Sequence, residues 1–370
     1  MRVAYLTTFR FDGEAGRYGR MHDLFDGFRT CDADFEWRVF PLIDEGGRLA
    51  LSRLGYEADD LWGSRLHNVE SLLSMPRVVR ALRSYEPDIV HVPTARPVEG
   101  TIARTVASRL DAPVVCGPNV GGWFPLRPNE LWEDSPGEIA SNRLNYLANR
   151  LSVAAIDPDL LFAFSDYHRE MLRSVRSSGP IEVLRPAVHP RFRPDPEIER
   201  ETDLLYVGAP NERKGYPVFV DALTRLDGSH ELQVDVVGGT PDDRPDFEAA
   251  DVTYHGVVPR EVLPRFYTRT KLFVCLSTDE MGPNTLVESF ACGTPALVND
   301  ESSLTEYVRD GNGVRCDRTD ADDVERRLRE CLDDIDRLVE NALDAAPSYD
   351  ICRTVDQLEA VYRSVIDERS

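Results

Sequence analysis

The 370-residue sequence predicts an α/β fold of two Rossmann-like domains, each a parallel sheet covered by helices. Three observations predict it. Apolar, β-rich runs alternate with amphipathic runs along the whole chain. The stretch PAVHPRFRPDPEIE, with four prolines from Pro186 to Pro196, interrupts that alternation and reads as a linker. The alternation then restarts.

In the first half MRVAYLTTF reads as a strand, and GRYGRMHDLFDGFRT as a helix after a glycine turn. EWRVFPLI is a strand, and SLLSMPRVVRALRSY a helix with a break expected at Pro76. DIVHVPT, TIARTVASRL and PVVCGPN continue as strand, helix, strand. RLNYLANRLSVAAI, LLFAFS, DYHREMLRSV and IEVLRPAV continue as helix, strand, helix, strand. In the second half DLLYVG and LQVDVVGG are strands around the helix YPVFVDALTRL. VTYHGVV is a short strand and PREVLPRFYTRT a helical stretch. KLFVCLS and PALVN are strands around the helix NTLVESFACG, and SLTEYVRD is a helix. DADDVERRLRECLDDIDRLVENALDAA forms one or two acidic helices, and TVDQLEAVYRSVIDER is a last amphipathic helix. The domains are therefore expected at 1–190 and 191–350. In such sheets ligands sit at the carboxyl ends of the strands, so two facing domains form a cleft.

Bulk properties narrow the function. The formal net charge is −22, which argues against nucleic acid, since that partner requires a basic face. The acid is uneven: residues 1–185 carry roughly −4 and the rest roughly −18. It is spread over helix faces and loops, a halophile-like surface suited to high salt. No run approaches ~18 apolar residues, and the start lacks the build of a signal peptide. The seven cysteines form no CxxC pair, so a metal or disulfide framework is not expected and reduced, buried thiols are. These features point to the cytoplasm.

The stretch DEMGPNTLVESFACGTP carries the sharpest chemistry. Glu280 follows the strand KLFVCLS and so lies at the sheet's carboxyl edge. Asn284 or Thr285 can cap the helix that follows. Gly282 and Pro283 lead into its first turn, whose N–H groups suit an anion. Glu288 lies one turn in and is expected to reach the same cleft. Acceptors for hydroxyls on either side of a phosphate site suit a sugar nucleotide. The plain alternative is a surface acid and an acid in a helix's first turn. A second strand-turn-helix, YVGAPNERKGYPVFVDAL, brings Arg213 and Lys214 to its turn, and a lysine there supplies a point charge for phosphate. Only two lysines occur, Lys214 and Lys271.

Together these residues resemble the retaining glycosyltransferases of the GT-B fold, family 4, over nearly the whole chain and most from Leu204 to Cys316. The family's two glutamates with seven residues between correspond to Glu280 and Glu288, and its Glu-Gly-Phe-Gly-Leu-Pro-x-x-Glu reads EMGPNTLVE here. SFACGTPALVND, LTEYVRDGNGV and HGVVPREVLPRFYTRTKLFVCLS are also family-like. The resemblance implies GT-B architecture and a nucleotide-diphosphate sugar donor held by the second domain. Glu280 would contact the donor sugar, Glu288 the ribose and Lys214 the diphosphate, with Lys214 and Glu280 as the catalytic pair. It also implies front-face attack and a last helix, residues 355–369, that returns to the first domain; no metal or other cofactor is expected, since nothing in the sequence looks like a metal cluster. In AGRYGRMHDLF, Gly16 stands at the glycine-rich turn where backbone approaches the diphosphate. Tyr18 and Asn119 fall on the acceptor side.

Two positions depart from the family pattern: Ala209 replaces an arginine, and Asn119 stands nearest a replaced histidine. They leave open a non-catalytic nucleotide-sugar or glycan-binding protein on the same fold; another GT-B enzyme, an epimerase or phosphorylase, is a further alternative. The acceptor stays open among lipid-linked, glycan, protein and small-molecule classes, and with it a peripheral contact at the cytoplasmic membrane face. The oligomeric state is equally open.

Overall fold

The structure, a computed structural model, describes residues 1–7, 19–42, 66–93, 97–118, 157–176, 179–186, 188–226, 232–239, 251–278 and 280–369. The chain divides into two compact units. The first comprises residues 1–13, 32–185 and 355–370, and the second 14–31 and 186–354.

The first unit is built on a six-stranded sheet in the order β2-β1-β3-β4-β5-β6. Its strands are β1 (Arg2–Thr7), β2 (Glu36–Pro41), β3 (Ile89–Val92), β4 (Val114–Cys116), β5 (Leu160–Ala163) and β6 (Ile181–Val183). Every pairing is parallel. β3, β4 and β5 are buried along their whole length, as expected of strands covered on both faces. The helices α2 (Leu66–Tyr85), α3 (Pro97–Leu110) and α4 (Asp166–Val175) belong to this unit. The break expected at Pro76 does not occur: α2 runs through it. One proline removes a single backbone donor, and the burial of Val78, Leu82 and Tyr85 beyond it favours a continuous helix. The expected helix at RLNYLANRLSVAAI lies outside the described residues.

The second unit repeats the design in the order β12-β11-β10-β7-β8-β9, again wholly parallel. Its strands are β7 (Thr202–Val207), β8 (Gln233–Val237), β9 (Asp251–Gly256), β10 (Thr270–Cys275), β11 (Ala296–Asn299) and β12 (Gly313–Cys316). β12 has no counterpart among the expected strands; it is a four-residue edge strand carrying an exposed Arg315. The helices are α5 (Tyr216–Arg225), α6 (Leu263–Thr268), α7 (Asn284–Ala291), α8 (Leu304–Tyr307), α9 (Ala321–Asp333) and α10 (Ile335–Ala345), so the acidic stretch forms two helices. One core of this unit packs Leu204, Phe219, Val234, Leu272 and Leu328 between sheet and helices; another packs Leu205, Tyr267, Phe273, Leu286 and Phe290.

Two helices show how the units are composed. α1 (Gly19–Thr30) groups with the second unit, although its sequence lies among first-half elements. Part of the reason is a disulfide between Cys31, just after α1, and Cys352, which is 321 residues away. This corrects the expectation that no disulfide forms, and it removes one support for a reducing compartment. Spacing arguments see only cysteines close in sequence. The other five cysteines are free and buried, as expected. α11 (Ile351–Asp367) groups with the first unit from Val355 onward. There the Tyr362 hydroxyl is 2.6 Å from that of Tyr5 and 2.5 Å from His91 Nδ1, while His91 Nε2 is 2.6 Å from the Gly117 carbonyl. Among the described residues no helix is long and apolar enough to cross a membrane.

Candidate active site

Two connections at the carboxyl ends of adjacent strands form the site's frame. After β7, Asn211 caps the 3-10 turn Glu212–Lys214, its side chain accepting from Lys214 N at 3.0 Å. Gly215 follows with φ 71°, where a Cβ would fall on the Leu276 carbonyl. Only glycine allows this turn to press against the end of β10. Arg318 fastens the two connections from outside the motif: Nη1 donates to Leu276 O at 2.9 Å and Nη2 to Glu212 O at 2.9 Å. Thr278 N donates to Arg213 O at 2.9 Å. The segments around Arg213 and Ser277 are thus one surface.

On that surface the Lys214 ammonium donates to Glu280 Oε1, and Arg213 Nη1 lies 3.4 Å from the same oxygen. Glu280 is 13 % exposed, Lys214 22 % and Arg213 34 %. Burial pushes the Glu280 carboxyl up, but the Lys214 and Arg213 charges and hydrogen bonds from Lys214 and Ser277 outweigh it, and the acid is held below its ordinary range. The main chain is tied as well, Ser303 N donating to Glu280 O at 3.1 Å. Two cations around one carboxylate leave a local excess of one positive charge. Such an arrangement can pass its cations from the carboxylate to an arriving anion.

α7 starts at Asn284, one residue before the end of its expected cap pair. Pro283 is the residue at the cap, with φ −79° and ψ 90°, and it makes no side-chain cap hydrogen bond. This corrects the expectation of an Asn284 or Thr285 cap: both lie in the first turn of the helix, and the cap position falls to Pro283, whose side chain has no acceptor. Met281 and Pro283 are buried, whereas Gly282, Asn284 and Thr285 stay partly exposed.

Glu288 is oriented differently from Glu280. Its side chain is 2 % exposed, with Oε1 2.7 Å from Arg260 Nη2 and Oε2 accepting from the Tyr267 hydroxyl at 3.2 Å. Burial raises its carboxyl above the ordinary value; the nearby Asp23 charge adds to this, and Arg260 and the Tyr267 hydrogen bond oppose it. Arg260 stands in the 3-10 turn Arg260–Val262 before α6, and its Nη2 also donates to Asp23 Oδ2 on α1 at 2.5 Å.

The structure therefore brings Arg213, Lys214 and Glu280 together, with Gly282, Pro283, Asn284 and Thr285 in the connection that follows. It places Glu288 in a separate ionic cluster. Gly16, Tyr18 and Asn119 lie outside the described residues. Ala209 is exposed, and its carbonyl accepts from the Tyr206 hydroxyl at 2.8 Å. Asp23, Arg260 and Arg318 were not singled out by sequence, although Asp23 and Arg260 stand in the family-like stretches AGRYGRMHDLF and HGVVPREVLPRFYTRTKLFVCLS. Among the described residues no three His, Cys, Asp or Glu side chains are grouped to hold a metal ion.

Residues 189–344 match the family described as glycosyl transferases group 1, which spans nearly the whole second unit. Over these residues the unit is similar to a glycosyltransferase domain. The chain is 27 % identical over 306 residues to D-inositol 3-phosphate glycosyltransferase 1 of Catenulispora acidiphila, covering 76 % of this chain and 73 % of that relative. Sucrose-phosphate synthase of Thermosynechococcus elongatus superposes with a TM-score of 0.72 at 16 % identity, over 100 % of both chains. The Anabaena protein HepE, in complex with UDP-glucose, superposes with a TM-score of 0.66 at 15 % identity, over 98 % of this chain and 99 % of that one. The likenesses to solved structures show the GT-B fold for the whole chain, in agreement with its two six-stranded parallel sheets.

Proposed function

We propose that this GT-B glycosyltransferase takes a sugar from a nucleotide-diphosphate sugar and transfers it with retention of anomeric configuration, as a member of family 4. The observation that carries the reading is the convergence of Lys214 and Arg213 on Glu280 at the ends of β7 and β10. A donor diphosphate draws Lys214 and Arg213 away from Glu280, because two phosphate groups offer more negative charge than one carboxylate. The released Glu280 accepts hydrogen bonds from the sugar hydroxyls. As the glycosidic bond breaks, negative charge builds on the leaving phosphate, and cations already in place lower that barrier without reorganisation. The leaving phosphate takes the acceptor's proton, so no separate base is assigned. Side-chain cations, rather than a metal, carry the charge in this reading. Glu288 is assigned to the ribose.

The likeness to an inositol-phosphate glycosyltransferase and to a protein bound to UDP-glucose guides the choice of ligands for a test. Purified protein is incubated with a panel of nucleotide sugars, with and without an inositol phosphate acceptor, and nucleoside diphosphate release is followed. Release that persists in EDTA, with an axial anomer formed from an axial donor by NMR, supports the reading. An inverted product or loss of release in EDTA refutes the corresponding part. Tight donor binding with no release over hours favours the non-catalytic binding protein.

A further inference from the structure

Glu288 belongs to a buried cluster of charges. Two carboxylates, Asp23 at 3 % exposure and Glu288 at 2 %, flank one guanidinium, Arg260 at 13 %. Arg260 Nη2 reaches both, but only its contact with Asp23 has hydrogen-bond geometry. Among the described residues no group donates to Glu288 Oε1 with hydrogen-bond geometry, and the Arg260 charge 2.7 Å away is its one near partner there. An acceptor this deeply buried is costly to leave without a donor. The Arg260 guanidinium lies over Phe192, its Cζ 5.1 Å from the ring centre, and Arg191 Nη2 is 3.9 Å from Asp23 Oδ1, a second cation for that acid.

Asp23 is also held. Phe25 and Phe28 of α1 are buried, and Gly27 lies so close to Ile351 that a Cβ there would meet its side chain at 2.8 Å. The Cys31–Cys352 bond fastens the helix end. The hydrogen bond from Arg260 is thus directed to α1 by a rigid partner.

We propose that Asp23 is a positioning residue for Glu288: it holds Arg260 at an angle that neutralises Glu288 while leaving Oε1 to accept a hydrogen bond from a ligand hydroxyl. The ligand group that fits is the 2′,3′-diol of a nucleoside diphosphate; this rests on the ribose assignment above. Without Asp23 the guanidinium turns both of its donors onto Glu288, as arginine and carboxylate do when nothing competes, and the acceptor is consumed.

The test is a cycle of two proteins and two ligands. The nucleoside diphosphate that binds wild type best among those of uridine, guanosine, adenosine and cytidine is titrated by calorimetry beside its 2′,3′-dideoxy analogue. Wild type is expected to prefer the hydroxylated ligand about tenfold or more, the loss of one good hydrogen bond. Asp23→Asn is expected to lower affinity for that ligand about tenfold and leave the dideoxy analogue within about twofold of wild type. A merely structural role for Asp23 would weaken both ligands alike. If Asp23→Asn does not fold by circular dichroism, Asp23→Glu is measured by the same criterion. Retention of the wild-type preference in the variant overturns the proposal. A wild type that binds nucleoside diphosphate without any preference overturns the ribose assignment and this inference with it, but leaves the transferase reading standing. A wild type that binds none of the four overturns both.

Discussion

The Lys214 ammonium donates directly to Glu280 Oε1 although 66 positions separate the two residues in sequence. The contact joins the β7–α5 turn to the β10–α7 connection, and Arg213 shares the same oxygen. Proposed roles in which Lys214 serves the diphosphate and Glu280 the sugar can therefore be separated by ligand.

Lys214→Ala is expected to weaken nucleoside diphosphate binding roughly ten- to a hundredfold, the worth of a charged hydrogen bond of about 1.5–3 kcal/mol. Turnover falls further, because charge on the leaving phosphate grows in the transition state. Glu280→Gln is expected to leave nucleoside diphosphate affinity unchanged or tighter, since it stops competing for Lys214 and Arg213, while lowering turnover of the intact donor. Calorimetry beside a turnover assay distinguishes the two; equal loss of nucleoside diphosphate affinity in both variants would contradict the division of labour.

Gly215→Ala tests the frame without touching a charge. The left-handed backbone costs an alanine about 1–2 kcal/mol, and the new Cβ must also push the Leu276 backbone away. A loss of at least about 2 kcal/mol in urea unfolding is expected, with loss of turnover, since displacing the turn parts Lys214 from Glu280. Wild-type stability in this variant would show that the turn does not press on β10 as described.

His91 makes stability depend on pH. It is fully buried, and burial lowers its pKa to about 4, the Gly117 carbonyl opposing the shift. In the unfolded chain it titrates near 6.5, so between about 6.5 and 4 the unfolded state binds the extra proton. Stability is therefore complete above about 6.5 and falls as the pH drops toward 4, by roughly 3 kcal/mol from this group. The unfolding free energy at pH 7.5 minus that at pH 5 is expected to shrink in His91→Gln. An unchanged difference would show that His91 is not held neutral by the fold.

The Cys31–Cys352 bond closes a loop across most of the chain. Reduction, or Cys31→Ser, is expected to lower unfolding stability by roughly 3–5 kcal/mol. Denaturant midpoints with and without dithiothreitol measure it. Because the remaining cysteines among the described residues are free thiols, a reductant acts on this pair alone, and a midpoint insensitive to reductant in wild type would count against the bond.

The sequence by itself determined the parallel α/β class and the order along the chain of every strand but β12. Apolar periodicity reports local backbone pairing and which face is buried, and both are properties of short segments. Lys214 and Glu280 were legible for the same reason: a strand followed by a turn and a helix puts the turn at the carboxyl edge of a sheet. What escaped was short or distant. β12 is four residues with a charged side chain, too little for periodicity, and α2 tolerates Pro76 because packing beyond it outweighs one lost bond. Tertiary structure alone decided that Lys214 touches Glu280, that Glu288 turns toward Arg260 and Asp23, that Cys31 meets Cys352, and that Tyr362 closes on Tyr5 and His91. Asp23 and Arg260 lie 237 positions apart, and Tyr5 and Tyr362 lie 357 apart. No local pattern encodes such partners, because which charged or hydroxyl side chains meet is set by how the loops return the elements to one core, after the elements themselves have formed.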